Sequence, residues 1–394
     1  MGNTLQSEIC CKCENKNSEI INILSITSRE ASTSIIKIQS LARGHLFRKK
    51  ARFLLNYLKK KIPKLRAFDN SKTPGKKIEL SFEPCLNEKV QLLKEKLPHF
   101  EVNEKESHAM RFSNLKKLAL EYPDKSIYKG FFNDIWQKEG YGQLFFADGS
   151  LYEGFFKGNF MHGRGRLLNS AGYSYDGEFQ NGKADGFGKY FNLEGIVYRG
   201  GWLDEKQHGD GEESYPDGST FEGEYFLGKK NGKGKFKSSD GHFYDGEFLN
   251  NEIHGWGLYR WNDGRIFQGQ WMNNKMNGTG IFIWPDKKKY IGGYLEDNKH
   301  GYGIFYWPDG RKYEGCWFEG KQHGPGISYD KMCVPQYGYW LNGKKEHVVD
   351  KEKVNEIEVL VKEIKNKMIE SNFDYMEKML PVMSYASKYS NIIK

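Results

Sequence analysis

The sequence predicts a mainly β protein: an elongated, single-layer antiparallel β ribbon of hairpin repeats, flanked by N- and C-terminal α-helices. Three observations predict it. An aromatic residue recurs every 23 positions from Tyr152 to Tyr313, each followed two residues later by glycine and two further on by a second aromatic. A second alternating run and a turn complete every unit, and the segments on both sides of the repeats lose the period and take up helical patterns. Self-similarity of this kind signals stacked units that each bury an apolar face on their neighbours.

Composition bounds the answer. Of 394 residues, 45 are glycine and only 11 proline, with 26 Phe, 24 Tyr and 9 Trp, a balance that favours short strands and tight turns. The net charge of +9 is uneven: residues 1–127 carry 25 Lys and Arg against 14 Asp and Glu, residues 128–345 carry 27 against 28, and residues 346–394 carry 8 against 9. Attraction to acidic proteins or acidic membrane lipid therefore belongs to the N-terminal third, and nucleic acid is not expected as a partner. No run of 18 apolar residues and no secretory pattern occurs, so a cytoplasmic location is expected. The cysteines Cys10, Cys11, Cys13, Cys85, Cys316 and Cys333 are expected as reduced thiols, without a structural metal site.

Residues 1–27 are read as a disordered tail. Its start, Met1-Gly2-Asn3-Thr4-Leu5-Gln6-Ser7, with Cys10, Cys11 and Cys13 following, resembles a myristoylation and palmitoylation signal. It departs from that pattern at Gln6, where Ser or Thr is usual. The resemblance implies acylation of Gly2, with the cysteines or the basic segment as the second anchor that one chain needs.

Residues 28–63 form the next element, a basic helix. Between residues 31 and 68 there are eleven Lys or Arg and no acidic residue, and Pro63 ends a stretch of helix-forming composition. Within it, Ile38-Gln39-Ser40-Leu41-Ala42-Arg43-Gly44-His45-Leu46-Phe47-Arg48 resembles a complete IQ motif. That resemblance implies calmodulin or a centrin-like EF-hand protein as partner. Ile38, Leu41 and Phe47 would be apolar anchors, Gln39 a backbone hydrogen-bonder, Gly44 the point of close approach, and Arg43 and Arg48 the contacts to an acidic lobe. Residues 64–127 are read as a helical linker or cap, with short helices over 86–97 and 107–121 ended by Pro98 and Pro123.

Residues 128–345 carry the repeats, about nine and a half units. Units begin at Tyr128, Tyr152, Tyr175, Tyr198, Phe221, Tyr244, Phe267, Tyr290 and Tyr313, the first being 24 residues long, and the series fades at Gln336. Aromatic-x-Gly-x-aromatic, as in Tyr290-Ile291-Gly292-Gly293-Tyr294, is strand alternation that places rings and glycine on one face. Then comes [His/Asn/Asp]-Gly-x-Gly, a second strand and a turn that is often Asp-Gly. The pattern Tyr313-Glu314-Gly315-Cys316-Trp317 through His323-Gly324-Pro325-Gly326 resembles the MORN repeat. The resemblance implies an antiparallel ribbon with an aromatic groove, used for scaffolding, protein docking and attachment to cytoskeletal or membrane structures.

Aromatics are densest in the sixth to eighth units, which add Tyr259, Trp261, Phe282, Trp284, Phe305 and Trp307 to the standard aromatics, among them Trp271, Tyr294 and, in the next unit, Trp317. Most single rings are expected as core, and this cluster is the candidate partner groove. In the tail, residues 346–394, Val354, Ile357, Val361, Ile364 and Met368 mark an amphipathic helix that either caps the open sheet edge, fills the groove, or binds another chain.

His162, His208, His254 and His300 lie two units apart, roughly 19 Å, too far to share a metal, and a turn role is expected for them. No nucleophile and base pairing stands out, so no enzyme and no cofactor is expected. The chain reads as a scaffold that docks a cytoskeletal or axonemal protein on its ribbon and an EF-hand protein on its basic helix. The alternative is an acylated tether that holds the chain on a membrane.

Overall fold

The computed structural model describes residues 74–101, 115–346 and 350–371. They hold one open antiparallel sheet in which consecutive strands are hydrogen-bonded neighbours. β1 (Lys76–Ile78) and β2 (Lys116–Glu121) lead in, nineteen strands from β3 (Ile127–Phe132) to β21 (Pro335–Leu341) form the repeats, and β22 (Lys344–Lys345) closes the series. The mainly β ribbon expected from the period is the fold.

One unit explains all of them. In the second, β5 (Leu151–Lys157) and β6 (Phe160–Asn169) meet at Gly158 and Asn159, with φ of +56° and +76°. Two residues in this region make a type I′ turn, whose twist matches that of the strands. The turn is also stitched to the unit before it: Asn159 N–H donates to the Lys138 carbonyl at 3.1 Å, and Lys138 N–H donates to Asn159 Oδ1 at 2.9 Å. Asn251, Asn274 and Asp297 repeat the exchange with Lys230, Ile253 and Met276. At the other end, Gly149 N–H donates to the Phe146 carbonyl at 3.0 Å with Gly149 at φ +82°, the expected tight Asp-Gly return.

The two glycines of each second strand have different duties. Register shifts between Gly154 and Phe156, because His162, Gly163 and Arg164 bulge out opposite a single residue, and Gly163 takes φ +71°. The histidines therefore sit inside strands at these bulges; the turn role expected for them is corrected. The second glycine makes room. A Cβ on Gly165 would lie 2.2 Å from Tyr152 Oη and 2.5 Å from its Cζ, so the ring rests on bare backbone. Its hydroxyl donates to the Phe155 carbonyl at the bulge, 2.9 Å away, where the ladder is interrupted. Tyr128, Tyr175, Tyr198, Tyr244, Tyr290 and Tyr313 do likewise at 2.9 to 3.1 Å.

Between these rings stand the second aromatics, edge-on. Tyr152 meets Phe156 and Phe179, and Tyr175 meets Phe179 and Trp202, with centroids 5.0 to 5.1 Å apart. Each such pair contributes about 0.5–1.5 kcal/mol beyond burial, so the face is a continuous zipper.

Two helices cover parts of the reverse face. α1 (Glu88–Lys96), capped by Asn87, buries Val90 and Leu93 against Phe145, Leu151 and Leu168. α2 (Lys351–Ser371) buries Ile357 and Val361 against Tyr302 and Ile327, and Lys365 reaches Glu314 at 3.5 Å. Its amphipathic pattern is as expected, but it lies across β18 (Asn298–Tyr306) to β21, neither in the aromatic groove nor over the sheet edge. The edges are instead β1 and β22, three and two residues long and rich in lysine, which discourages pairing with another sheet. The helix expected over 107–121 is also corrected from Lys116 onward. Leu118 and Leu120 alternate into the aromatic cluster of the first units, and this packing makes β2 a strand.

Candidate docking groove

On the aromatic face of the sixth to ninth units, the nine rings singled out in the sequence separate into two sets. Trp271, Phe282, Tyr294, Phe305 and Trp317 are buried floor, whereas Tyr259, Trp261, Trp284 and Trp307 are half-buried. Backbone position separates the tryptophans. The floor rings lie within their strands, one residue from the end, as Tyr259 also does, and the tryptophans at 261, 284 and 307 lie one residue beyond strand ends, in the return turns. Ring contacts run on without a break: Tyr259 to Trp261 at 4.5 Å, Trp261 to Phe282 at 5.3 Å, Phe282 to Trp284 at 4.4 Å, Trp284 to Phe305 at 5.5 Å and Phe305 to Trp307 at 4.5 Å. Trp271 and Trp317 also donate their indole N–H groups to the carbonyls of Gly257 and Gly303, which fixes their rotamers.

Cations line this face, a feature the aromatic period concealed. Arg265 lies 5.2 Å from the Trp261 ring and Arg311 5.5 Å from Trp307, each also paired with the aspartate of its own turn, Asp263 or Asp309. Lys288 pairs with Asp286 in the same way. The backbone N–H of Arg265 chiefly, with its side chain, holds the Asp263 carboxyl below the usual carboxylate range. In the floor, one position of every unit points at the rings. It is Lys138, Lys230 and Lys299 in the first, fifth and eighth, Met161, Ala184, Ile253 and Met276 in the second, third, sixth and seventh, and Gln207 and Gln322 in the fourth and ninth. Burial pushes Lys138 down to about 8 and lowers Lys299 also.

Among the described residues no His, Cys, Asp and Glu converge to hold a metal, and no helix is long and apolar enough to cross a membrane. Cys316 is half-buried and burial pushes its thiol up to about 11, the opposite of an activated nucleophile. What the face offers is a continuous strip of packed rings. Ile38, Gln39, Leu41, Arg43, Gly44, Phe47 and Arg48, and the acylation candidates Gly2, Cys10, Cys11 and Cys13, lie outside the described residues.

No curated protein matches the chain. Among solved structures it is similar to the wild-type TCP10 domain of Danio rerio CPAP, with 10% identity over 59% of this chain and 98% of that one, at a TM-score of 0.22. It is similar also to the SAS-4 (dCPAP) TCP domain of Drosophila melanogaster, with 13% identity over 50% and 99% and a TM-score of 0.22. Likeness at this level carries no argument. The family models speak directly: the MORN repeat matches at residues 137–151, 152–171, 175–191, 198–220, 221–243, 244–264, 267–289, 290–310 and 313–331, and the IQ calmodulin-binding motif matches at residues 33–52. Both are interaction modules. The chain is thus a MORN-repeat protein with an N-terminal IQ motif, an arrangement that marks a calmodulin-binding interaction adaptor.

Proposed function

We propose that this adaptor works with two arms: the aromatic face between Trp261 and Trp307 docks a segment of a cytoskeletal or axonemal protein, and the IQ helix recruits calmodulin or a centrin-like EF-hand protein. The observation that carries the first arm is the row of Trp261, Trp284 and Trp307, partly buried on three consecutive units over a floor of packed rings. Units repeat at roughly 10 Å, so the row offers three evenly spaced anchors to one peptide. Because hydrogen bonds and neighbours already fix the floor, binding orders little of the protein itself. The setting is the cytoplasm, at the cytoskeleton or a cilium, and the role is non-enzymatic.

Proximity labelling in cells tests the first arm, with Trp261→Ala/Trp284→Ala/Trp307→Ala against the unaltered chain. Loss of cytoskeletal neighbours at unchanged circular dichroism is expected, and an unchanged set of neighbours removes the groove. For the second arm, calmodulin pull-down with and without calcium is compared for the unaltered chain and Ile38→Ala/Gln39→Ala; equal recovery dismisses the IQ assignment. A second reading, a membrane tether, is favoured by Gly2 and three nearby cysteines ahead of the acid-free basic stretch. Gly2→Ala should then shift the protein out of the membrane fraction, and no shift ends that reading.

A further inference from the structure

We infer that Lys299, with Tyr294 beside it, is a carboxylate-recognition point in the groove, which selects a docked peptide that carries an acidic side chain among apolar ones. This rests on the docking reading above. Three units make 69 residues, so positions that far apart are structural equivalents. In the fourth and fifth units, Glu213, Tyr215, Tyr225 and Lys230 form a closed polar group, in which Tyr215 donates to Glu213 Oε2 and accepts from Lys230 Nζ. Tyr225 donates to Glu213 Oε2 at 2.9 Å, Lys230 Nζ lies 3.1 Å from the same oxygen, and Tyr225 and Lys230 face each other across their hairpin. The equivalents three units on are Phe282, Trp284, Tyr294 and Lys299. The Tyr225 phenol and the ammonium are kept, again as cross-strand partners, whereas the carboxylate and the Tyr215 phenol have become rings.

Two donors are thereby left unmatched. Tyr294 is 5% exposed, and its hydroxyl is buried without a hydrogen-bond partner among the described residues. Lys299 has the rings of Trp284, Tyr290, Phe305 and Trp317 at 5.2 to 5.5 Å from Nζ. Among the described residues it makes no ion pair, whereas Lys230 has Glu213 and Lys138 lies in the field of Asp124. Ring quadrupoles offset only part of the hydration an ammonium loses on burial. The rim cations cannot serve a ligand as freely, because Arg265, Lys288 and Arg311 each hold their own aspartate. Lys299 is the groove cation with capacity to spare, and because the Phe282 ring fills the place that Glu213 holds three units earlier, the carboxylate that pairs with it comes from the docked peptide.

Peptides selected by display from a random library on the full chain test this. Those released by Trp284→Ala should be rich in Asp or Glu between apolar residues. Lys299→Met should weaken them roughly ten- to a hundredfold, the scale of one hydrogen bond to a charged group. Lys299→Glu should turn a fresh selection toward Lys and Arg. Phe282→Glu, which supplies the missing acceptor from within, should abolish the acidic preference and raise the melting temperature, a pairing that mere damage would not produce. If peptides depend on Trp284 but lack an acidic preference, or keep it in Lys299→Met, docking stands and the carboxylate point falls. If no peptide depends on Trp284, both fall. Binding to phosphatidylserine vesicles that Lys299→Met abolishes, without any selected peptide, would assign the site to a lipid headgroup and overturn the peptide proposal.

Discussion

Gly165 and Gly209 show why one residue type recurs for two unrelated reasons. Gly165 lies under the Tyr152 ring, which its hydroxyl bond to Phe155 and its edge-on neighbours hold in place, so Gly165→Ala must displace the ring. A loss of about 3 kcal/mol is expected, at the upper end of overpacking costs. Gly209 has φ +74°, and a Cβ added there would find no atom within 4 Å, so Gly209→Ala meets only backbone strain, about 1 kcal/mol. Urea midpoints of the two variants check the difference, and equal losses would contradict it. Spacing alone showed that both glycines mattered. It did not show which one cleared space and which one bent the chain, since that depends on the bulge, which in the second unit lies opposite Phe155.

At the scale of elements, position along the chain was more legible than position in space. Alternation between rings and glycine predicted the strands, and the spacing of Ile357, Val361 and Ile364 predicted α2, because each is a local period. The face that α2 covers is set by Tyr302 and Ile327, apolar residues on the side of the sheet that the repeat motif leaves variable. Likewise Leu118 and Leu120 suit a helix or a strand, and only the adjoining β3 decides between them. Within the groove, the period found the rings, but burial sorts five into the floor and leaves four at the surface. Because α2 sits on the reverse face, Ile357→Ala/Val361→Ala should detach it and speed hydrogen exchange in β18 to β21, with a stability loss of about 4 kcal/mol or more. Peptide binding to the aromatic face should be unchanged, and a parallel loss of binding would refute the separation of the two faces.

For the whole molecule, buried titratable groups set a pH profile with two opposed limbs. Burial holds Lys138 at about 8 against an ordinary 10.5, so between these values the unfolded chain carries more protons and stability rises with pH, by at most about 3 kcal/mol. Burial raises Tyr128, Tyr152, Tyr244 and Tyr313, so above about pH 10 the unfolded chain loses protons that the folded one keeps, and stability falls. Denaturant midpoints from neutral to strongly alkaline pH should therefore pass through a maximum near pH 10, and Lys138→Met should flatten the rising limb. A monotonic profile would contradict the burial of one group or the other. The lysine-rich β1 and β22 act on the same scale. Short, lysine-rich terminal strands discourage another molecule from continuing the sheet, so the number of repeats, and not end-to-end growth into fibrils, sets how far the rings extend.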